Sequence, residues 1–153
     1  MHRRNFPRCA GILMHVTSLP GRYGIGDIGP EAYKFVKMMK HAGMHFWQIL
    51  PVNPFDVSRT YSPYSPLSAF AGNTLLISPD LLKEHKLIDE AEEIRILKKP
   101  SHVHYEKAEK LKKKLIAHAY ARFKEHQERP LKDAFHAFCH QEKYWLDDYA
   151  LFI

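Results

Sequence analysis

Two short apolar runs flank an amphipathic segment in the first third of the chain. The first, GILMHVTSLP at 11–20, is closed by Pro20 and Gly21 and predicts a strand. The period then changes. In GDIGPEAYKFVKMMKHAG at 26–43, Ala32, Phe35, Val36, Met39 and Ala42 fall on one helical face. Pro30 suits a first helical turn, Glu31 complements the positive helix start, and Gly43 marks the stop. The second run, MHFWQILPV at 44–52, predicts another strand. Strand, helix and strand in this order make a βαβ unit with parallel strands and a right-handed crossover. Both following loops, TSLPGRYGIGD and NPFDVSRTYSPYSPLSAFAGN, then leave the same side of the sheet. In parallel α/β folds that side holds the ligand.

The pattern turns helical near residue 78. All seven glycines and eight of the ten prolines lie at or before Pro79, so loops and strands give way to helices. SPDLLKEHKLI at 78–88 has Ser78 as N-cap, Pro79 in the first turn and Asp80 at the positive end. The longest predicted helix runs from Tyr105 to His126, with Ala108, Leu111, Leu115, Ile116, Ala119 and Phe123 as its buried stripe. Leu131, Ala134, Phe135 and Phe138 form the packing stripe of a further helix after Pro130. KYWLDDYALFI at 143–153 is the most apolar segment and has no capping signal after it, so it is expected to pack against further structure. The pattern divides the chain into a first βαβ part with its loops, 1–78, and a helical continuation, 79–153.

Composition narrows the class. A chain of 153 residues with 45% hydrophobic and 26% charged residues is globular and suits one domain. No apolar run approaches the roughly 20 residues of a membrane span, so no membrane partner is expected. The Arg3-Arg4 start imitates a secretory signal, but His15 interrupts the apolar stretch and TSLPG is a poor cleavage site. Cys9 and Cys139 are too few for a disulfide framework, which points to reduced thiols and a cytoplasmic location. The net charge of +6 gathers in Arg3, Arg4 and Arg8 and in KLKKKL at 110–115, where Glu106 and Glu109 stand nearby. That composition describes a solvated helix face and not a nucleic-acid module, although a basic adaptor built on 105–127 is the reading it would otherwise support.

Two chemical patterns are weak. Gly24-x-Gly26-x-x-Gly29 follows an insert rather than the strand itself, and ILPVN carries no ribose-binding carboxylate, so the glycines read as turn residues. His136 and His140, with Cys139 between them, share a helix face without a third ligand; His102 and His104 follow Pro100 in a connection. No metal site is expected.

The richest segment is YSPYSPLSAFAGN at 61–73, whose prolines stiffen an array of two tyrosines, a phenylalanine and three serines. Sugar rings present apolar C–H faces and a rim of hydroxyls, which such an array matches with flat rings and hydrogen-bonding groups. Phe70, Leu75 and Leu76 read as core residues. GILMHVTSLPGRYGIGDIGPEAYKF, WQILPVNP, YSPYSPLSAFAGNTLLISPDLL and YWLDDYALF together resemble the amylomaltase family of 4-alpha-glucanotransferases, the disproportionating enzymes. The resemblance covers nearly the whole chain. It implies the N-terminal part of an α/β fold, a (β/α)8 TIM barrel elaborated by a helical insertion. It also implies transfer of α-1,4-glucan segments through a covalent glycosyl-enzyme intermediate, with no metal or organic cofactor. The family motif places Tyr64 at the floor of the donor sugar site with Ser62 beside it, and makes Tyr61, Asn73 and Asn53 further candidates for contact with the glucan or maltooligosaccharide.

Retaining transfer needs two carboxylates about 5–5.5 Å apart across the scissile bond. The ligand-side loops hold Asp27 and Asp56, and the family pattern gives neither a catalytic role. By resemblance the catalytic carboxylates stand on later barrel strands beyond Ile153, so no catalytic residue is expected in this chain. It is therefore expected to be an N-terminal piece without transferase activity alone, badly behaved in solution, and open to a complementary C-terminal chain as partner. A non-catalytic carbohydrate-binding or interaction module is the alternative.

Overall fold

The computed structural model of the protein describes residues 8–55, 61–89, 102–125 and 129–153. Strand β1 (Gly11–Leu13) pairs in parallel with β2 (Phe46–Gln48), in the register Gly11 to Phe46, Ile12 to Trp47 and Leu13 to Gln48. Helix α1 (Pro30–His41) connects them, with Pro30 at its start, Glu31 in its first turn and Gly43 at φ +70° just past its end. The βαβ unit is thus formed with its elements in the expected order.

The strands are shorter than the apolar runs. After Met14, whose amide donates to the Gln48 carbonyl at 3.0 Å, the chain tightens into a 3-10 turn at Val16–Ser18. There the Thr17 carbonyl accepts from the amide of Gly26 at 3.0 Å, so the backbone serves the loop and not the ladder. Beyond Gln48, Pro51 and Pro54 lack the amides a continuing strand would donate. The helical face is also narrower than its periodicity suggests. Ala32 and Met39 are buried and Phe35 packs edge-on against Trp47 with ring centroids 4.9 Å apart, while Val36 and Ala42 are exposed. On the other face of the two-stranded sheet, Leu13 and Phe46 are more than half exposed.

The second half packs mainly through one helix. After α2 (Pro79–Glu84), the 21-residue α3 (Tyr105–Glu125) buries Ala108, Leu111, Leu115 and Ala119 as predicted, with Ile116 and Phe123 only half-buried. Its stripe serves two apolar clusters. Ala108 joins Ile25, Phe55 and Leu75, while Leu111, Leu115 and Ala119 join Tyr23 and Ile88. A third cluster, Val16, Leu19, Ala32 and Leu76, ties the β1 loop to α1 and the 3-10 turn at Thr74–Leu76. Helices α4 (Arg129–Gln141) and α5 (Lys143–Phe152) bury no side chain completely, so the expected packing stripe of α4 is met only in part, by Phe135 against Phe123 at 5.2 Å. Ser78 occupies the N-cap position of α2, but its buried side chain makes no capping hydrogen bond. Among the described residues no helix is long and apolar enough to cross a membrane.

Candidate functional site

The parallel register sends the loops after β1 and β2 off the same edge of the sheet. The first is tightened by glycine: a Cβ at Gly21 would lie 1.9 Å from the Ile25 carbonyl oxygen, so only glycine admits this approach. At Gly26 and Gly29 the space beside Cα is filled by Val16, Leu19 and Ser78, so these glycines serve close packing within the chain.

The second loop is anchored at three points. At its end, the Asn73 side chain caps the 3-10 turn by accepting from the Leu75 amide at 2.9 Å, and the Asn73 backbone amide donates to the Val52 carbonyl at 2.7 Å. In its middle, an antiparallel bridge joins Phe55 to Pro66, and the Leu67 amide donates to the Pro54 carbonyl at 3.0 Å. Asn53 spans the loop by donating to the Ala71 carbonyl at 3.2 Å, while Ser68 accepts at 3.1 Å from the amides of Phe70 and Ala71. At its start, Tyr61 stacks on Tyr105 of α3 at 4.8 Å and 17°, and its hydroxyl donates to Glu109 at 2.8 Å. Burial and the Glu109 carboxylate push the Tyr61 phenol up to about 12. Lys113, 2.7 Å from the other carboxylate oxygen, holds Glu109 below its ordinary range with the help of Tyr61.

Five candidates thus separate into two groups. Tyr61, Asn73 and Asn53 spend the side-chain groups just described on holding the loop. Tyr64 is 70% exposed, and Ser62 beside it is half-buried with its Oγ accepting from the Tyr64 amide at 3.3 Å. Tyr64 therefore stands as a free aromatic surface on a braced loop. Phe70 does not enter the core; 60% exposed, it stacks with Trp145 at 6.1 Å and meets Tyr144 edge-on at 5.6 Å, while Leu75 and Leu76 are buried.

Asp27 has a structural task. Its carboxylate lies 2.8 Å from Lys112 Nζ, which is 1% exposed and also donates to the carbonyls of Leu75 at 2.7 Å and Ile77 at 2.9 Å. All three ammonium protons are used, and α3 is joined at one point to the loop after β1 and to the 3-10 turn region that follows the second loop. Burial raises the Asp27 carboxyl pKa and lowers that of Lys112, each opposed by the charge of the other. Asp56 lies outside the described residues.

By sequence Glu109 and the KLKKKL run read as a solvated face and Tyr105 only as a helix start, but Lys112 of that run is buried against Asp27, and a signal for this is present. Lys112 falls within the apolar stripe of Ala108, Leu111, Leu115 and Ala119, where a charge needs a buried partner. Cys9 and Cys139 are free thiols, and among the described residues no group of three or more His, Cys, Asp or Glu could hold a metal ion. His102 and His104 lie with ring centroids 4.5 Å apart.

Comparison with known proteins agrees with this geometry. A family profile described as 4-alpha-glucanotransferase matches residues 14–153. The 4-alpha-glucanotransferase of Aquifex aeolicus is 45% identical over 148 residues, covering 95% of this chain and 28% of the relative. That of Thermus thermophilus is 39% identical over 151 residues, with 96% and 28% covered. The chloroplastic/amyloplastic enzyme of Solanum tuberosum is 40% identical over 152 residues, with 97% and 26% covered. The amylomaltase from Streptococcus agalactiae in complex with acarbose superposes with a TM-score of 0.79 at 36% identity, over 90% of this chain and 28% of that one. The chain spans little more than a quarter of the length of these relatives. With the profile matching nearly the whole of it and the parallel βαβ unit in place, the chain belongs to the 4-alpha-glucanotransferase family.

Proposed function

We propose that this chain supplies one wall of the glucan site of a 4-alpha-glucanotransferase, with Tyr64 as the sugar-stacking surface and Ser62 as its polar neighbour. The observation that carries this reading is the exposed Tyr64 ring on a loop anchored on both sides, at the C-terminal edge of parallel strands. An aromatic face offers the C–H surface of a sugar ring a flat partner, and a rigid loop lowers the entropy cost of binding. The bound acarbose of the Streptococcus agalactiae neighbour supports an oligosaccharide ligand. Tyr61, Asn73 and Asn53 serve this site by shaping the loop.

In the same reading, β1, α1 and β2 are the first βαβ unit of a (β/α)8 barrel, 1–78 forming the barrel part and 79–153 a helical insertion or continuation, in a cytoplasmic enzyme. The more than half-exposed Leu13 and Phe46 face the interior of that barrel. The carboxylate pair for retaining transfer comes from the part of the relatives' length that this chain does not span, because Asp27 is committed to Lys112. A complementary C-terminal stretch, continuous or supplied as a separate chain, is the partner this arrangement accommodates.

Acarbose titration of the chain tests the site, with Tyr64→Ala beside wild type. Tyr64→Ala is expected to weaken binding at least tenfold while changing stability by less than about 0.5 kcal/mol, as at an exposed position. Unchanged affinity would overturn the assignment of Tyr64. The chain alone is expected to leave maltotriose unconverted; glucose and longer maltooligosaccharides as products would overturn the placement of the carboxylates.

A further inference from the structure

The turn that carries Tyr64 has little internal support. Its own bonds are Ser65 amide to Ser62 carbonyl and Tyr64 amide to Ser62 Oγ, both long at 3.3 Å. Its downstream anchor is the bridge between Phe55 and Pro66. Its upstream anchor is Tyr61, three residues before Tyr64, and that anchor rests on α3. Glu109 is itself fixed by Lys113 one turn along the helix and presents its second oxygen to the Tyr61 hydroxyl. Tyr105 lies parallel to the Tyr61 ring, meets Phe55 edge-on at 6.0 Å, and exchanges a 3.1 Å hydrogen bond with Thr17 from the loop after β1. One helix face therefore sets the direction in which the chain enters the turn.

We infer that Glu109 and Tyr105 are positioning residues for the Tyr64 surface, acting through Tyr61 to fix where that ring stands against a bound glucan. The inference rests on the reading of Tyr64 as a glucan contact, but its mechanical half can be measured without glucan. A hydrogen bond to a carboxylate is among the stronger neutral-to-charged contacts, and its loss frees a turn otherwise closed by two long bonds.

Hydrogen exchange and acarbose binding, measured together on the full chain, test it. In Glu109→Ala the amides of Tyr64 and Ser65 are expected to exchange roughly tenfold faster, with those of α1 unchanged, and acarbose binding to weaken. Glu109→Gln gives up the charge but keeps a carbonyl oxygen that can accept from Tyr61, and is expected to restore both. Tyr61→Phe, which keeps the ring stack, should reproduce the effect of Glu109→Ala in a chain with intact apolar packing. Unchanged loop exchange in Glu109→Ala, or equal losses in the Ala and Gln variants, would overturn the inference. So would wild-type affinity in Glu109→Ala together with lost affinity in Tyr64→Ala. If Tyr64→Ala binds as wild type, the glucan reading fails, and the exchange comparison still decides whether α3 positions the loop.

Discussion

Replacing Lys112 by methionine isolates the contact that joins α3 to the loop after β1 and to the chain just past the second loop. The substitution nearly conserves volume, so packing changes little while the ammonium disappears. Three acceptors lose their donor at once: the Asp27 carboxylate and the carbonyls of Leu75 and Ile77. Removing one partner of a buried ion pair costs about 3–5 kcal/mol, because the remaining charge stays out of water uncompensated. For a chain of this size that is expected to lower the melting temperature by roughly 6–20 °C. Asp27→Asn in the same chain removes the stranded charge, so the double variant should regain a large part of the loss. The pH dependence has a definite sign. Burial raises the Asp27 carboxyl pKa, and without Lys112 the main opposition to that rise is gone. A carboxyl whose folded pKa exceeds its unfolded value holds more protons when folded, so stability falls as pH rises through the folded pKa. The penalty of Lys112→Met should therefore be largest near neutral pH and shrink as pH approaches the ordinary carboxylate range. Urea titrations of wild type, each single variant and the double variant at several pH values provide the measurement. A loss below about 1 kcal/mol in Lys112→Met at neutral pH, or a double variant no better than the single, would refute the reasoning.

Two further outcomes follow from the same contacts. Because the folded pKa of Tyr61 is about 12 against an ordinary value of 10.0, its contribution to stability is present below pH 10 and is lost as pH rises toward 12. Burial also raises the Tyr149 phenol, so phenolate absorbance should show a late component that shrinks in Tyr61→Phe; a late component of unchanged amplitude in the variant would rule out Tyr61 as a contributor. Gly21→Ala drives a methyl group to 1.9 Å from the Ile25 carbonyl oxygen, so the loop must shift, with an expected loss of about 1–3 kcal/mol in a urea melt. Wild-type stability would show that the close approach is not maintained in solution.

The periodicity of the chain determined much of this by local physics. Pro30, Glu31 and Gly43 bound α1, the apolar stripe of α3 emerges from spacing alone, and two short runs around a helix leave a parallel pair as the natural pairing. The loop at 61–73 was legible because prolines, tyrosines and serines rarely cluster without a task, and its order matches a known family. What spacing could not assign was which of those side chains hold the loop and which face outward. Tyr61 and Tyr64 share one motif and one chemistry, yet one stacks on Tyr105 and the other lies 70% exposed. That difference comes from α3, more than thirty residues further along the chain, and such distant contacts leave no period to read. The same holds for Asp27, a loop carboxylate by sequence that only the buried approach of Lys112 makes a structural ion pair. Tertiary structure also decided the limits of burial. Phe70, Phe135 and Phe138 are apolar enough for a core, but a side chain is buried only where another element covers it, and among the described residues these three remain substantially exposed. Sequence fixes which faces are apolar through local spacing; which of them become interior depends on what arrives from elsewhere in the fold.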